Sequence, residues 1–240
     1  MPGPLDLALL AVFAVAWPLY SMLVDWPRYL ARLRAGVPGA RMRQYVSTLV
    51  EQWTLAALAI VLWVRAARPW APLGLRVPSG WGAWLGLILI VATVALFVHQ
   101  LRIVAGRPDV RARLRIRFTD LDPVLPHTPL EFRTFLALSV TAGICEELLF
   151  RGFLIWALRP WLGWWGAALL GAGIFGLAHA YQGRKGIVRA SIAGLAITLV
   201  YALTGSLLPC MALHVIVDIG GGWTTWLVLR EASAPLPATA

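Results

Sequence analysis

Charge is what this chain has least of. Only 13% of its 240 residues are Asp, Glu, Lys or Arg, and 60% are hydrophobic, whereas soluble domains carry roughly 25% charged residues. A water-soluble globular domain is excluded, and an integral membrane protein is the class that remains. Lysine is almost missing, Lys185 standing alone among the arginines. The formal net charge of +10 is dispersed between apolar runs, which argues against a nucleic-acid partner and for loops that face anionic lipid. Cysteine is sparse too: Cys145 and Cys210 both fall in apolar runs, so no disulfide framework follows. The first apolar run has no basic leader and no clean small-residue cleavage site, its first charge being Asp6. It reads as a retained span rather than a signal peptide. An H-E-x-x-H zinc motif and an internal repeat are both lacking.

Crossing a bilayer core of roughly 30 Å takes about 20 apolar residues per helix. Suitable runs are 5–24, 45–64, 81–101, 132–158, 164–181, 187–203 and 207–229. They predict an all-α fold, a polytopic bundle of about seven transmembrane helices. Lys and Arg number five in 25–43, six in 102–117 and three in 184–189, with Arg230 after the last run. The intervening connections hold Arg65, Arg68 and Arg76, then Arg159, then none. Positive loops stay in the cytoplasm, so the N-terminus is expected outside and the C-terminus inside, in a bacterial plasma membrane. Within the connection 102–131, Arg111, Arg113, Arg115 and Arg117 alternate with Ala112, Leu114, Ile116 and Phe118. That period of two predicts a short strand or an extended segment lying on lipid headgroups. Residues 230–240 read as a disordered tail.

A charge at the centre of a membrane helix costs about 2.5–3.5 kcal/mol, so each one present is a candidate for function. Glu146 and Glu147 sit inside the apolar run 136–158, and Arg151 follows Glu147 by four residues. Neighbouring helix positions point about 100° apart. Glu147 and Arg151 therefore pair, and Glu146 faces elsewhere without a local counter-ion, available as a general base. A purely structural ion pair is the competing reading. Phe175 and His179 end the fifth run, where a lone histidine also suits an interfacial or core position. Gly171, Gly173 and Gly176 spell G-x-G-x-x-G, but no strand precedes them and no βαβ unit surrounds them, so they are read as small residues that let helices approach. His214 and Asp218 share a helix face in the seventh run, within reach of each other or of a common ligand. A buried pair that locks packing is the alternative. His99 and His127 lack such partners and carry no assigned role.

Together, Glu146, His179, His214 and Asp218 offer a base, two imidazoles and a carboxyl around one hydrated pocket, enough for water-dependent bond cleavage. An ion or proton-coupled transporter draws on the same residue types, yet inverted repeats and matching broken helices are not visible. A non-catalytic membrane scaffold or immunity protein is a further alternative.

The ordered trio Glu146-Glu147-Leu148-Leu149-Phe150-Arg151, Phe175-Gly176-Leu177-Ala178-His179 and His214-Val215-Ile216-Val217-Asp218 resembles the EExxxR, FxxxH and HxxxN/D motifs of the membrane-embedded CAAX prenyl protease and bacteriocin-processing (Abi-type) family. The resemblance covers residues 131–229 and implies an intramembrane endopeptidase acting on a peptide or membrane-protein substrate. It implies a protease core in the four C-terminal helices, preceded over 1–130 by N-terminal helices and the basic connection. By the same resemblance Glu146 activates the hydrolytic water with help from His179, His214 and Asp218 stabilise the oxyanion, and Glu147 and Arg151 brace the site. Many members carry Asn at the last position; Asp218 donates only when protonated, or else orients His214. A metal-free glutamate mechanism without cofactor is favoured, the alternative being zinc held by Glu146, His179, His214 and Asp218. One geometric condition remains: with a rise of ~1.5 Å per residue, Glu146 lies about 20 Å along its run from Phe132, whereas His179 ends its own. They meet only if 132–138 lie along the interface or if the fifth helix continues past Tyr181.

Overall fold

The computed structural model describes residues 1–230; the tail read as disordered lies, from residue 231 on, outside the described residues. Among the described residues, six helical stretches are long and apolar enough to cross a bilayer. They are α1 (Pro4–Arg34), α2 (Ala40–Arg65), α3 (Gly80–Gly106), a fifty-residue stretch over Pro129–Ala178, and two more over Ala180–Thr204 and Leu207–Leu229. The long stretch is two helices. Gly163, at φ 65° and ψ 174°, breaks it, a conformation that glycine takes without a Cβ clash. The chain then doubles back, bringing Phe175 edge-on to Phe150 with ring centroids 5.2 Å apart. Counting α4 (Pro108–Phe118) as a short connecting helix, the remaining elements are α5 (129–162), α6 (164–178), α7 (Gly183–Thr204) and α8 (Leu207–Arg230). Among the described residues the bundle is all-α, and with the break at Gly163 its six long apolar stretches give seven long helices, in agreement with the sequence expectation.

Outward faces are apolar and bare: Leu87, Ile88, Val91 and Leu96 of α3 are all exposed. In a bilayer, lipid tails cover such a face at no cost. The packed interior is built where α1, α2, α5, α6 and α8 meet, from Phe13, Trp63, Phe153, Leu154, Ala167 and Leu207. Both cysteines are buried there and unbonded. At one end, α1 is pinned by Asp6, whose two carboxylate oxygens accept from the Arg68 guanidinium at 2.8 and 2.6 Å. That guanidinium lies 4.4 Å over the Trp156 ring. At the other end, the connection after α4 is tied down by the Tyr29 hydroxyl on the Pro123 carbonyl, by Tyr45 on the Val124 carbonyl at 2.7 Å and by Arg41 on the Asp122 carbonyl at 3.2 Å.

The expected strand or extended segment in 102–131 is not what forms. Residues Pro108–Phe118 are helical, followed by a 3₁₀ turn over Thr119–Val124. Pro108 opens the helix with its φ already set, Asp109 sits in the first turn, and Arg115 and Arg117 sit in the last, the arrangement a helix dipole favours. Ala, Leu and Arg are strong helix formers, and their propensity overrode the period-two pattern. A hydrogen bond from Arg107 holds the Asp109 carboxyl below the usual carboxylate range.

The contact that positions the polar residues is between α5 and α8. A Cβ placed on Gly143 would meet the side chain of Val215 and lie 2.9 Å from its backbone nitrogen. The two backbones thus cross one turn from Glu146 and beside His214. Gly143→Ala is expected to destabilise the bundle by about 1–3 kcal/mol through overpacking, seen as a lowered melting temperature in detergent; an unchanged melting temperature would contradict this close crossing.

Candidate active site

α5 runs as a regular helix to Glu146, then widens into π-helical turns over Glu147–Leu154, every residue of which is buried. Widened turns of this kind recur at functional sites. The Arg151 side chain is 2% exposed and the Glu147 side chain 0%. Arg151 donates through Nη1 to Glu147 Oε1 at 2.9 Å and through Nη2 to the Gly194 carbonyl of α7 at 3.1 Å. Its guanidinium carbon lies 4.3 Å from the centre of the Phe175 ring on α6. Glu147 Oε1 also meets His214 Nδ1 of α8 at 2.8 Å. One buried ion pair therefore joins α5, α6, α7 and α8.

This pairing settles which nitrogen of His214 faces the cavity. An ionised carboxylate only accepts, so Nδ1 carries the proton given to Glu147, and Nε2 is turned to the other side. There it stands 3.9 Å from Glu146 Oε2 and 3.7 Å from Asp218 Oδ2, both beyond a direct hydrogen bond and within the span of a bridging donor. Glu146 Oε1 accepts from Gln52 Nε2 of α2 at 2.7 Å, and its Oε2 is buried without a partner among the described residues. His179 is fixed differently. Its Nδ1 lies 2.8 Å from the Phe175 carbonyl, which can only accept, so Nδ1 donates and Nε2 is left as the free nitrogen.

Glu146, His179, His214 and Asp218 all line one cavity of about 750 Å³, within the size range of ligand sites. Glu146 and Asp218 stand within ion-pairing distance of His214 Nε2; His179 reaches the same cavity from the end of α6, its ring held against Phe175 with centroids 4.7 Å apart. The fifth helix does not continue past Tyr181. It stops at Ala178, and a 3₁₀ turn over Ala180–Gln182 follows. α5 makes up the difference: its 34 residues, 129–162, would extend about 50 Å, more than a hydrocarbon core of roughly 30 Å, and Glu146 falls midway along it. Irregular backbone at membrane depth is tolerated where it lines a cavity, and Tyr181 and Gln182 do line it.

The wall opposite these four comes from elements without a sequence motif. Asp25 of α1 accepts from Gln44 at 2.7 Å, and Glu51 and Gln52 of α2 border the same space. The signal for them was present: Glu51-Gln52 interrupts the run 45–64 much as Glu146-Glu147 interrupts 136–158. Zinc was the alternative occupant. Among the described residues, no three His, Cys, Asp or Glu side chains are arranged to hold a metal ion. Nδ1 of each histidine is already committed, one to Glu147 and one to a carbonyl. Both commitments leave Nε2 as the ring nitrogen that a metal or a water would use.

Residues 128–220 match the family described as Rce1-like, type II CAAX prenyl endopeptidase Rce1-like. Over this stretch the chain is similar to the CAAX prenyl protease family. All three motifs, and every cavity residue on α5, α6 and α8 through Asp218, fall inside the matched stretch, whereas Gln52 and the rest of α1–α3 fall outside it. No curated protein and no solved structure matches the chain.

Removing one partner of a buried ion pair strands the other charge and costs about 3–5 kcal/mol. Arg151→Leu is expected to lose that much stability, measured by thermal unfolding in detergent. Adding Glu147→Gln should recover a substantial part of it, since the stranded charge is then gone. A double variant no more stable than the single one would contradict the pairing.

Proposed function

We propose that the protein is an endopeptidase that hydrolyses a peptide bond inside the membrane bundle, with Glu146 as the base that activates water. The observation that carries this reading is the Glu146 carboxylate itself. One oxygen is held by Gln52, and the other is buried and turned toward His214 Nε2 across 3.9 Å, a gap that suits a water molecule and not a direct bond.

The chemistry follows from the protons each group can hold. Glu146 takes a proton from the water as its oxygen attacks the amide carbonyl, and the carbonyl π pair becomes an oxyanion. His214, in its doubly protonated form, donates Nε2–H to that oxyanion while Nδ1–H remains on Glu147. Collapse breaks the C–N bond, and the proton taken by Glu146 passes to the departing amine. Nε2 of His179 is the free nitrogen that can accept from the water or relay that proton. Asp218, one helical turn from His214 and 3.7 Å from its Nε2, orients the imidazole as a carboxylate and joins the oxyanion site when protonated. Glu147 and Arg151 hold the helices in register and do not react. Residues 131–229 supply this chemistry, and 1–130 supply the opposing wall.

The substrate class follows from the lining. Phe13, Trp17, Leu121 and Phe135 offer an apolar surface next to the polar end, which suits a peptide attached to a prenyl chain or to a membrane segment. The distribution of Lys and Arg puts the N-terminus outside and the connection 107–128 in the cytoplasm.

Two outcomes test this reading in proteoliposomes, with two internally quenched probes: a farnesylated peptide ending in Cys-aliphatic-aliphatic-X and an unprenylated transmembrane peptide. Glu146→Gln should keep its melting temperature and lower kcat by about 10³-fold or more. A folded Glu146→Gln protein that still turns over at the wild-type rate refutes the assignment of the base. Dialysis against a zinc chelator should leave the wild-type rate unchanged; loss of activity that zinc restores would favour the metal mechanism instead.

A further inference from the structure

Among the described residues, no side chain of the matched family stretch hydrogen-bonds Glu146 directly. Its partner comes from α2, through the Gln52 amide at 2.7 Å. We propose that Gln52 is a positioning residue, which holds the Glu146 carboxylate in the orientation needed to receive a proton from water and helps to seat that water. The inference rests on the endopeptidase reading above.

The choice of an amide has a physical reason. Glu147 is held by a guanidinium, and that pairing suits a group whose charge is to be neutralised for good. A cation placed on Glu146 in the same way would remove its basicity. An amide N–H fixes the carboxylate without supplying a full countercharge. The other end of the same hydrogen bond carries a second signal. Gln52 Oε1 and Glu146 Oε2 are both buried acceptors without a partner among the described residues. Two buried acceptors on groups already joined to each other call for a molecule that donates twice, and water is the smallest. A water that gives one O–H to each has its lone pairs turned away from both, toward the cavity and the bond to be attacked.

α2 is seated for this task independently of Gln52. The next residue, Trp53, donates from Nε1 to Thr141 Oγ1 of α5 at 3.1 Å, and Ala56 and Ala59 are buried at 2% and 1% exposure where the helix packs inward. The helix register is therefore fixed by contacts other than the amide, so removing the amide changes the site and not the packing.

The experiment compares Gln52→Met, which keeps the volume and has no amide, with Gln52→Glu, which keeps the shape and exchanges the donor for an oxygen. Trp53→Phe serves as the control for helix seating. All are assayed on the two peptide probes in proteoliposomes, alongside their melting temperatures. Both Gln52 variants should lower kcat about 10- to 100-fold, the value of a hydrogen bond to a charged group. KM should stay within about twofold, because the amide is not asked to bind the peptide. Trp53→Phe should lower kcat far less. If Glu146→Gln is inactive while Gln52→Met turns over normally, the proposal is wrong and the endopeptidase reading stands. A fall in kcat for Trp53→Phe as large as for Gln52→Met would reduce Gln52 to a packing residue and also overturns it. A wild-type protein that cleaves neither probe overturns the endopeptidase reading and this inference with it.

Discussion

Burying Glu147 and Arg151 in the middle of an apolar bundle is expensive, and the polar end of the molecule is arranged around making that burial tolerable. Separately each charge would be prohibitive; together they still need their remaining donors and lone pairs filled. Arg151 turns to the Gly194 carbonyl and the face of Phe175, and Glu147 turns to His214. Each of these partners lies on a different helix. Satisfying one ion pair thus fixes the mutual position of α5, α6, α7 and α8, without the hydrophobic effect that would hold helices together in water.

The arrangement proposed to react is a consequence of that network. Because Glu147 takes Nδ1 of His214, Nε2 is presented to the cavity. Because neighbouring helix positions diverge, Glu146 is carried away from Arg151 and has no guanidinium beside it. On the proposed reading, the brace and the base are adjacent in sequence and opposite in purpose. Their separation is produced by helix geometry, and the close crossing at Gly143 brings Glu146 Oε2 to 3.9 Å from His214 Nε2.

Much of this was legible in the sequence, for identifiable reasons. Apolar length marked the seven long helices, including the reversal between 158 and 164, since a continuous helix over Pro129–Ala178 would be far too long for one bilayer. Spacing of four placed Arg151 on the Glu147 side chain. The role of α2 was passed over although Glu51-Gln52 interrupts its run, because Gln52 sits in no recognised motif and an amide in a span attracts less attention than a charge. The helical form of Pro108–Phe118 was not legible: alternating arginines suggested an extended segment and intrinsic propensity prevailed. The meeting of His179 with the other three depended on where α6 stops and how far α5 extends, both set by tertiary packing that a single sequence does not display.

The claim on which the account turns is that Glu146 acts on a water held in the cavity and does not itself attack the peptide. Single-turnover cleavage in water enriched in oxygen-18, with enzyme in excess over peptide, separates the two. Attack by water puts one labelled oxygen into the new C-terminal carboxylate at the first turnover and leaves the Glu146 carboxyl unlabelled. An unlabelled product at the first turnover, with the heavy isotope recovered on Glu146, would mean a covalent acyl intermediate and would contradict the account.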